Sequence, residues 1–258
     1  MISCSETNEK SRQLAEKITV SPFPKILYRT KGVSKHVYNN EGEFGMNWLI
    51  TTITSSIGKK LLMAITGLCF CTFLTAHLAG NLTLYAGKEA FNSYAEHLHS
   101  LGPLITVAET GLLLFGIIHV LTGIVLFYQN FTARPEKYAV NKSAGGSTLG
   151  SATMPYTGLI LIAFVILHLI NFHFIDKTGT TIFQVVSDAF SKTAYIIIYV
   201  FAMMVVALHV SHGLWSAFQT LGVNHPKYMP LIRKAGIAFS ILIGIGFGFI
   251  PVFISLTT

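Results

Sequence analysis

Carboxylates are scarce in this chain. Its 258 residues include 11 Asp and Glu against 18 Lys and Arg, and only 11% are charged. Within the long apolar runs the one acid well inside is Glu109, so those runs cannot form a carboxylate cage for hard cations. Cysteine is equally sparse. Cys4, Cys69 and Cys71 give neither a disulfide framework nor zinc-ligand spacing, and Cys69 and Cys71 read as small buried hydrophobes. The N-terminal stretch lacks the apolar core of a secretory signal. What the chain has in abundance is apolar residues, 52% of the total, a membrane composition.

Five runs are long enough to cross a bilayer as helices: residues 60–85, 104–128, 155–175, 193–220 and 233–255. The expected fold is all-α, an integral membrane bundle of five transmembrane helices. Every Lys and Arg except Lys88, Lys177 and Lys192 lies before the first span, between the second and third, between the fourth and fifth, or at the predicted inner edge of the first or fifth span (Lys60, Arg233, Lys234). The positive-inside rule then predicts a cytoplasmic N-terminus and an external C-terminus. The net charge of +7 is thus a topology signal and not a nucleic-acid footprint.

Residues 1–45 form a polar extension ahead of a membrane domain at 46–258, and Met46 is a plausible alternative start. Met46 to Ile57 (MNWLITTITSSI), with Trp48 as anchor, suits the inner interface. Gly87 to Gly102 carries Phe91, Tyr94, Ala95, Leu98 and Leu101 at helical spacing, which predicts an outer lid. Gly145-Gly146-Ser147-Thr148 reads as the flexible part of the second inner connection, and residues 176–192 as an outer connection. Gly244, Gly246 and Gly248 mimic a nucleotide-binding pattern, but no strand precedes them; Gly244 and Gly248 read as a small-residue packing face.

Ten histidines are many for so apolar a chain. An ionisable side chain at membrane depth is costly and marks a functional site with a partner on another helix. Residues 195–220 carry His209 and His212, and Gly213 lies one turn beyond His209. His119 and Gly123 repeat that spacing, which leaves room for a flat ligand against each helix. A rise of ~1.5 Å per residue converts sequence into depth. His77 then lies ~25 Å above the inner edge and His168 ~20 Å above it, while His119 and His209 each lie ~24 Å below the outer edge. Two storeys result. His77 and His168 share the outer half, His119 and His209 the inner half, and two stacked bis-histidine haems would use all four. His212 is the alternative ligand to His209, and His173 suits an interfacial polar role. A histidine-based metal-ion transporter is the competing function.

The segments SSIGKKLLMAITGL and HLAGN leading into and from His77, IHVLTG around His119, HLINFH from His168 and LHVSHGLWSAFQTLG around His209 resemble the five-helix cytochrome b subunit of bacterial succinate dehydrogenase and fumarate reductase. The resemblance runs from about Met46 to Phe253. It implies two b haems, with His77 and His168 as axial ligands of the outer one and His119 and His209 of the inner one. Gly123 and Gly213 would pack the haems. It also implies a membrane electron-transfer subunit of the bacterial cytoplasmic membrane, bearing a flavoprotein and an iron-sulfur subunit on its cytoplasmic face. Dicarboxylate chemistry would sit on the partner. A quinone, menaquinone or ubiquinone, would exchange electrons with the haems, and a proton-carrying group should lie after the first span. Glu96 is the first choice there among Glu89, Glu96 and His99. The anchor of a hydrogenase or formate dehydrogenase is the redox alternative.

Overall fold

The computed structural model describes residues 43–133 and 148–258, so the readings of residues 1–42 and of Gly145-Gly146-Ser147 lie outside the described residues. Helix α1 (Glu43–Thr54) precedes α2 (Ser56–Asn81), which continues as a 3-10 turn at Leu82–Ala86. Next come α3 (Lys88–Ser100), α4 (Pro103–Thr132), α5 (Leu149–Phe172), α6 (Ile182–Phe190), α7 (Thr193–Thr220) and α8 (Met229–Thr257). No strand occurs among the described residues. Five helices are long and apolar enough to cross a membrane: α2 with its 3-10 extension, α4, α5, α7 and α8.

Each begins where the local chemistry allows. Ser55 Oγ accepts a hydrogen bond from Gly58 N–H at 3.0 Å, satisfying one of the donors left free at a helix start. A Cβ on Gly58 would fall on the Thr52 carbonyl oxygen, so only glycine lets α1 fold back this closely. Thr148 caps α5 through a reciprocal box with Ser151. That cap starts α5 at Leu149, ahead of the predicted position 155, and leaves Pro155 inside the helix. Helix α8 likewise starts early, at Met229, because a proline in its first turn has no N–H to leave unsatisfied. The preceding turn closes α7 with Gly222 at φ 93° and a bond from Val223 N–H to the Phe218 carbonyl, a Schellman arrangement.

Helix α7 is the hub. It buries Tyr199, Ala202, Met203, Val205, Val206, Val210, Trp215 and Ala217, and it packs against α2, α5 and most extensively α8. Between helices in lipid there is no water to expel, so close van der Waals approach and small residues decide the packing. Helix α8 supplies such a face in Gly236, Ser240, Gly244 and Gly248, one turn apart. A Cβ on Gly244 would lie 2.9 Å from the Ala207 Cβ, and Gly246, on another face, lies against Leu78 of α2. Helix α4 is the opposite case. Among its residues Thr122 alone is buried, and it packs on α2 with only light contact to α5.

The end of the bundle predicted to face outward, the outer end, carries two short helices. Helix α3 turns Phe91 and Ala95 inward, on the predicted lid segment. Helix α6 was not anticipated by the sequence reading; it is capped by Thr181 and buries Val185, Val186 and Phe190. The two are tied by Asn92 Oδ1 accepting from Phe183 N–H at 3.0 Å. At the end predicted to face inward, the inner end, Trp48, Ile50 and Ile53 of α1 are exposed, which a helix in an interface would require.

Gly244→Val is expected to cost ~1–3 kcal/mol by overpacking α8 on α7. The measurement is the unfolding midpoint of the detergent-solubilised protein. Gly111→Val, where nothing lies within 4 Å of an added Cβ, should leave that midpoint no lower.

Candidate cofactor site: two histidine pairs

The spans α2, α4, α5 and α7 carry His77, His119, His168 and His209, α7 carrying His212 as well, and the fold brings those four together in pairs. The rings of His77 and His168 have centroids 6.0 Å apart at an interplanar angle of 88°. Those of His119 and His209 are 6.4 Å apart at 63°. All four side chains are partly buried. Two imidazoles bound to opposite sides of one metal ion, at ~2.0 Å per bond, have ring centres on the order of 6 Å apart. Both pairs stand at that separation. Two imidazoles at a level fall short of the four ligands that hold a bare ion, and no cluster of three or more His, Cys, Asp or Glu able to hold one occurs among the described residues. The donor set fits a metal whose remaining ligands come with it, as in a porphyrin.

The two pairs differ in their surroundings. The outer pair sits among aromatic rings: Phe73 stacks on His77 at 5.1 Å and Phe247 lies 5.4 Å from it. Phe172, Phe164 and Tyr199 lie 5.2, 5.9 and 6.1 Å from His168. Tyr199 Oη accepts from Asn171 Nδ2 at 3.2 Å. His168 Nδ1 is buried with no hydrogen-bond partner among the described residues. The inner pair is held by hydroxyls instead. Thr66 Oγ1 lies 2.9 Å from His119 Nδ1, and Thr157 Oγ1 lies 3.1 Å from His209 Nδ1. Both threonines are buried.

Neither threonine was singled out from the sequence, yet a signal was there. Helices α2 and α5 share the pattern TGL-x4-F-x3-HL, at Thr66–Leu78 and Thr157–Leu169. In each, the Thr meets an inner histidine on another helix and the glycine lies beside that same ring. The Phe packs on its own helix's outer histidine. A Cβ on Gly67 would stand 3.5 Å from His119 Cε1, and one on Gly158 would stand 3.8 Å from His209 Cε1. Thr and His of one repeat are about three helical turns apart, hence on one face and separated by ~16 Å along the axis. That repeat is what stacks the two levels.

Around Gly213 nothing lies within 4 Å of where a Cβ would stand, while at Gly123 the Met63 methyl lies 3.2 Å from that point. His209, and not His212, is the ring set across from His119. His212 turns toward the start of α5, with Nδ1 3.3 Å from Thr148 Oγ1 and its ring edge-on to Trp215 at 4.9 Å. The Arg233 guanidinium lies 4.3 Å over that Trp215 ring. His173 is exposed at the outer end of α5. Glu89, Glu96 and His99 are exposed on α3 and make no side-chain hydrogen bond among the described residues.

No protein family, curated protein or solved structure matches the chain.

Thr148→Ala removes the cap of α5 and the hydroxyl beside His212. A loss of about 1 kcal/mol is expected, measured as a lowered unfolding midpoint, and Thr148→Ser should recover most of it.

Proposed function

We propose that this chain is a di-haem cytochrome b, the membrane anchor of a succinate:quinone or quinol:fumarate oxidoreductase. The observation that carries the haem part is the facing of His77 with His168 and of His119 with His209, at 6.0 and 6.4 Å, on helices that alternate in direction. The resemblance of residues 46–253 to the five-helix cytochrome b subunits supports the rest. In this reading His77 and His168 hold the outer haem and His119 and His209 the inner one. Bound haem supplies a reversible one-electron carrier at each level. Two imidazoles holding each haem would leave no open position for oxygen, which suits electron transfer.

The chain's own residues do the placing. Phe73, Phe247, Phe164 and Phe172 wall the outer pair in hydrocarbon, and Thr66 and Thr157 orient the inner rings. Burial and ligand hydrogen bonding are the means by which such a protein tunes its haems. A flavoprotein and an iron-sulfur subunit on the cytoplasmic face would exchange electrons with the inner haem, and a membrane quinone would complete the chain. The charge distribution supports a bacterial cytoplasmic membrane location, with the N-terminus inside and the C-terminus outside. Glu96, exposed on α3, is the proposed quinone-site acid.

A dithionite-reduced minus oxidised spectrum of the purified protein should show b-type bands with a haem content of two per chain. His119→Ala or His209→Ala should each remove the inner haem and leave the outer one partly loaded. Colourless protein would instead favour the transporter, and retention of both haems in either variant would refute the pairing. A hydrogenase or formate dehydrogenase catalytic subunit in the purified complex would reassign the partner.

A further inference from the structure

We infer that Thr66 and Thr157 are a matched pair of positioning residues that fix the tautomer of His119 and His209, so that both inner imidazoles present Nε2 as the bare, metal-binding nitrogen. The inference rests on the haem reading above and deepens it. A threonine hydroxyl has one hydrogen and two lone pairs. Thr66 Oγ1 lies 2.7 Å from the Leu62 carbonyl oxygen one turn back, closer than its 2.9 Å to His119 Nδ1. The hydroxyl therefore donates to the carbonyl and accepts from the imidazole. At Thr157 the carbonyl oxygens of Thr153 and Met154 and His209 Nδ1 all lie at 3.1 Å; a carbonyl can only accept, so the hydroxyl hydrogen goes to a carbonyl there as well and the hydroxyl accepts from the ring. In both, Nδ1 carries the proton and Nε2 keeps its lone pair.

Threonines in membrane helices often bond back to the carbonyl one turn earlier, and a ring could lie beside such a hydroxyl by chance. Chance does not account for the recurrence. Two hydroxyls from equivalent positions of one sequence repeat meet the same atom, Nδ1, of two rings that face each other. Each is followed by a glycine that stands beside the same ring. The opposite polarity, with the hydroxyl donating to Nδ1, would put the proton on Nε2 and remove the ligand. The outer level lacks this control at His168, whose Nδ1 has no partner among the described residues. The repeat thus makes α2 and α5 bifunctional: each contributes an outer ligand and the hydroxyl that prepares an inner one.

A hydrogen bond from Nδ1–H raises the basicity of the ligand and favours the oxidised metal. Valine matches threonine in shape but cannot accept, whereas serine can. In the purified holoprotein, T66V/T157V should raise the midpoint potential of the inner haem, leave that of the outer haem in place, and weaken inner haem retention about 10–100-fold. T66S/T157S should restore both. Either single valine variant should move the same potential by a smaller step, which keeps the test open if the double variant is poorly folded. An inner potential unmoved by valine, or a serine variant no better than valine, would overturn the assignment. If the wild-type protein binds no haem, the functional reading fails by itself. The tautomers are then read from nitrogen-15 imidazole signals: Nδ1–H at His119 and His209 supports the assignment, and Nε2–H overturns it.

Discussion

A polar group in hydrocarbon has no water to fall back on, and its partner must come from another part of the protein. In this bundle the requirement is met at the inner level by relays that run from a helix carbonyl through a threonine hydroxyl to an imidazole on a neighbouring span. Everything about the arrangement of α2, α4, α5 and α7 is compatible with keeping those relays in register. The rings face each other with Gly67 and Gly158, one after each threonine, lying beside them.

The packing divides the labour. Helices α2 with α4, and α5 with α7, form two antiparallel pairs, each joining one TGL-x4-F-x3-HL repeat to one helix bearing an inner histidine. Contact between α2 and α7 joins the pairs. Helix α8 contributes no imidazole; its small-residue face packs on α7, and its Ile243, Ile250 and Ile254 are buried in the common core. The short helices α3 and α6 close the outer end, so the aromatic surroundings of the outer pair are continuous with the core through Phe172, Phe190 and Tyr199. Rigidity is therefore concentrated around α7, the helix that carries His209.

Much of this was legible in the residues alone. A long apolar run has few options in a bilayer, so the five spans follow from composition, and the depth of each histidine follows from counting along a helix of fixed rise. The pairing of His77 with His168 and of His119 with His209 in space agrees with that count. Helix ends were less legible, because Thr148 and the Met229–Pro230 start extend α5 and α8 through prolines that read as boundaries. Rotation about a helix axis is set by neighbours and not by local sequence. For that reason Gly67 and Gly158, which lie beside the rings, were not read from the sequence. Thr66 and Thr157 went unnoticed because a threonine in an apolar run has no distinctive local signature; comparison of the two repeats would have exposed both.

Helix α4 is attached along a single seam to α2 and leaves most of its surface to lipid. An iron shared by His119 and His209 would clamp it to α7, a helix it otherwise barely meets. On the proposed reading, the span held least by its protein neighbours would be the one held most by the shared metal.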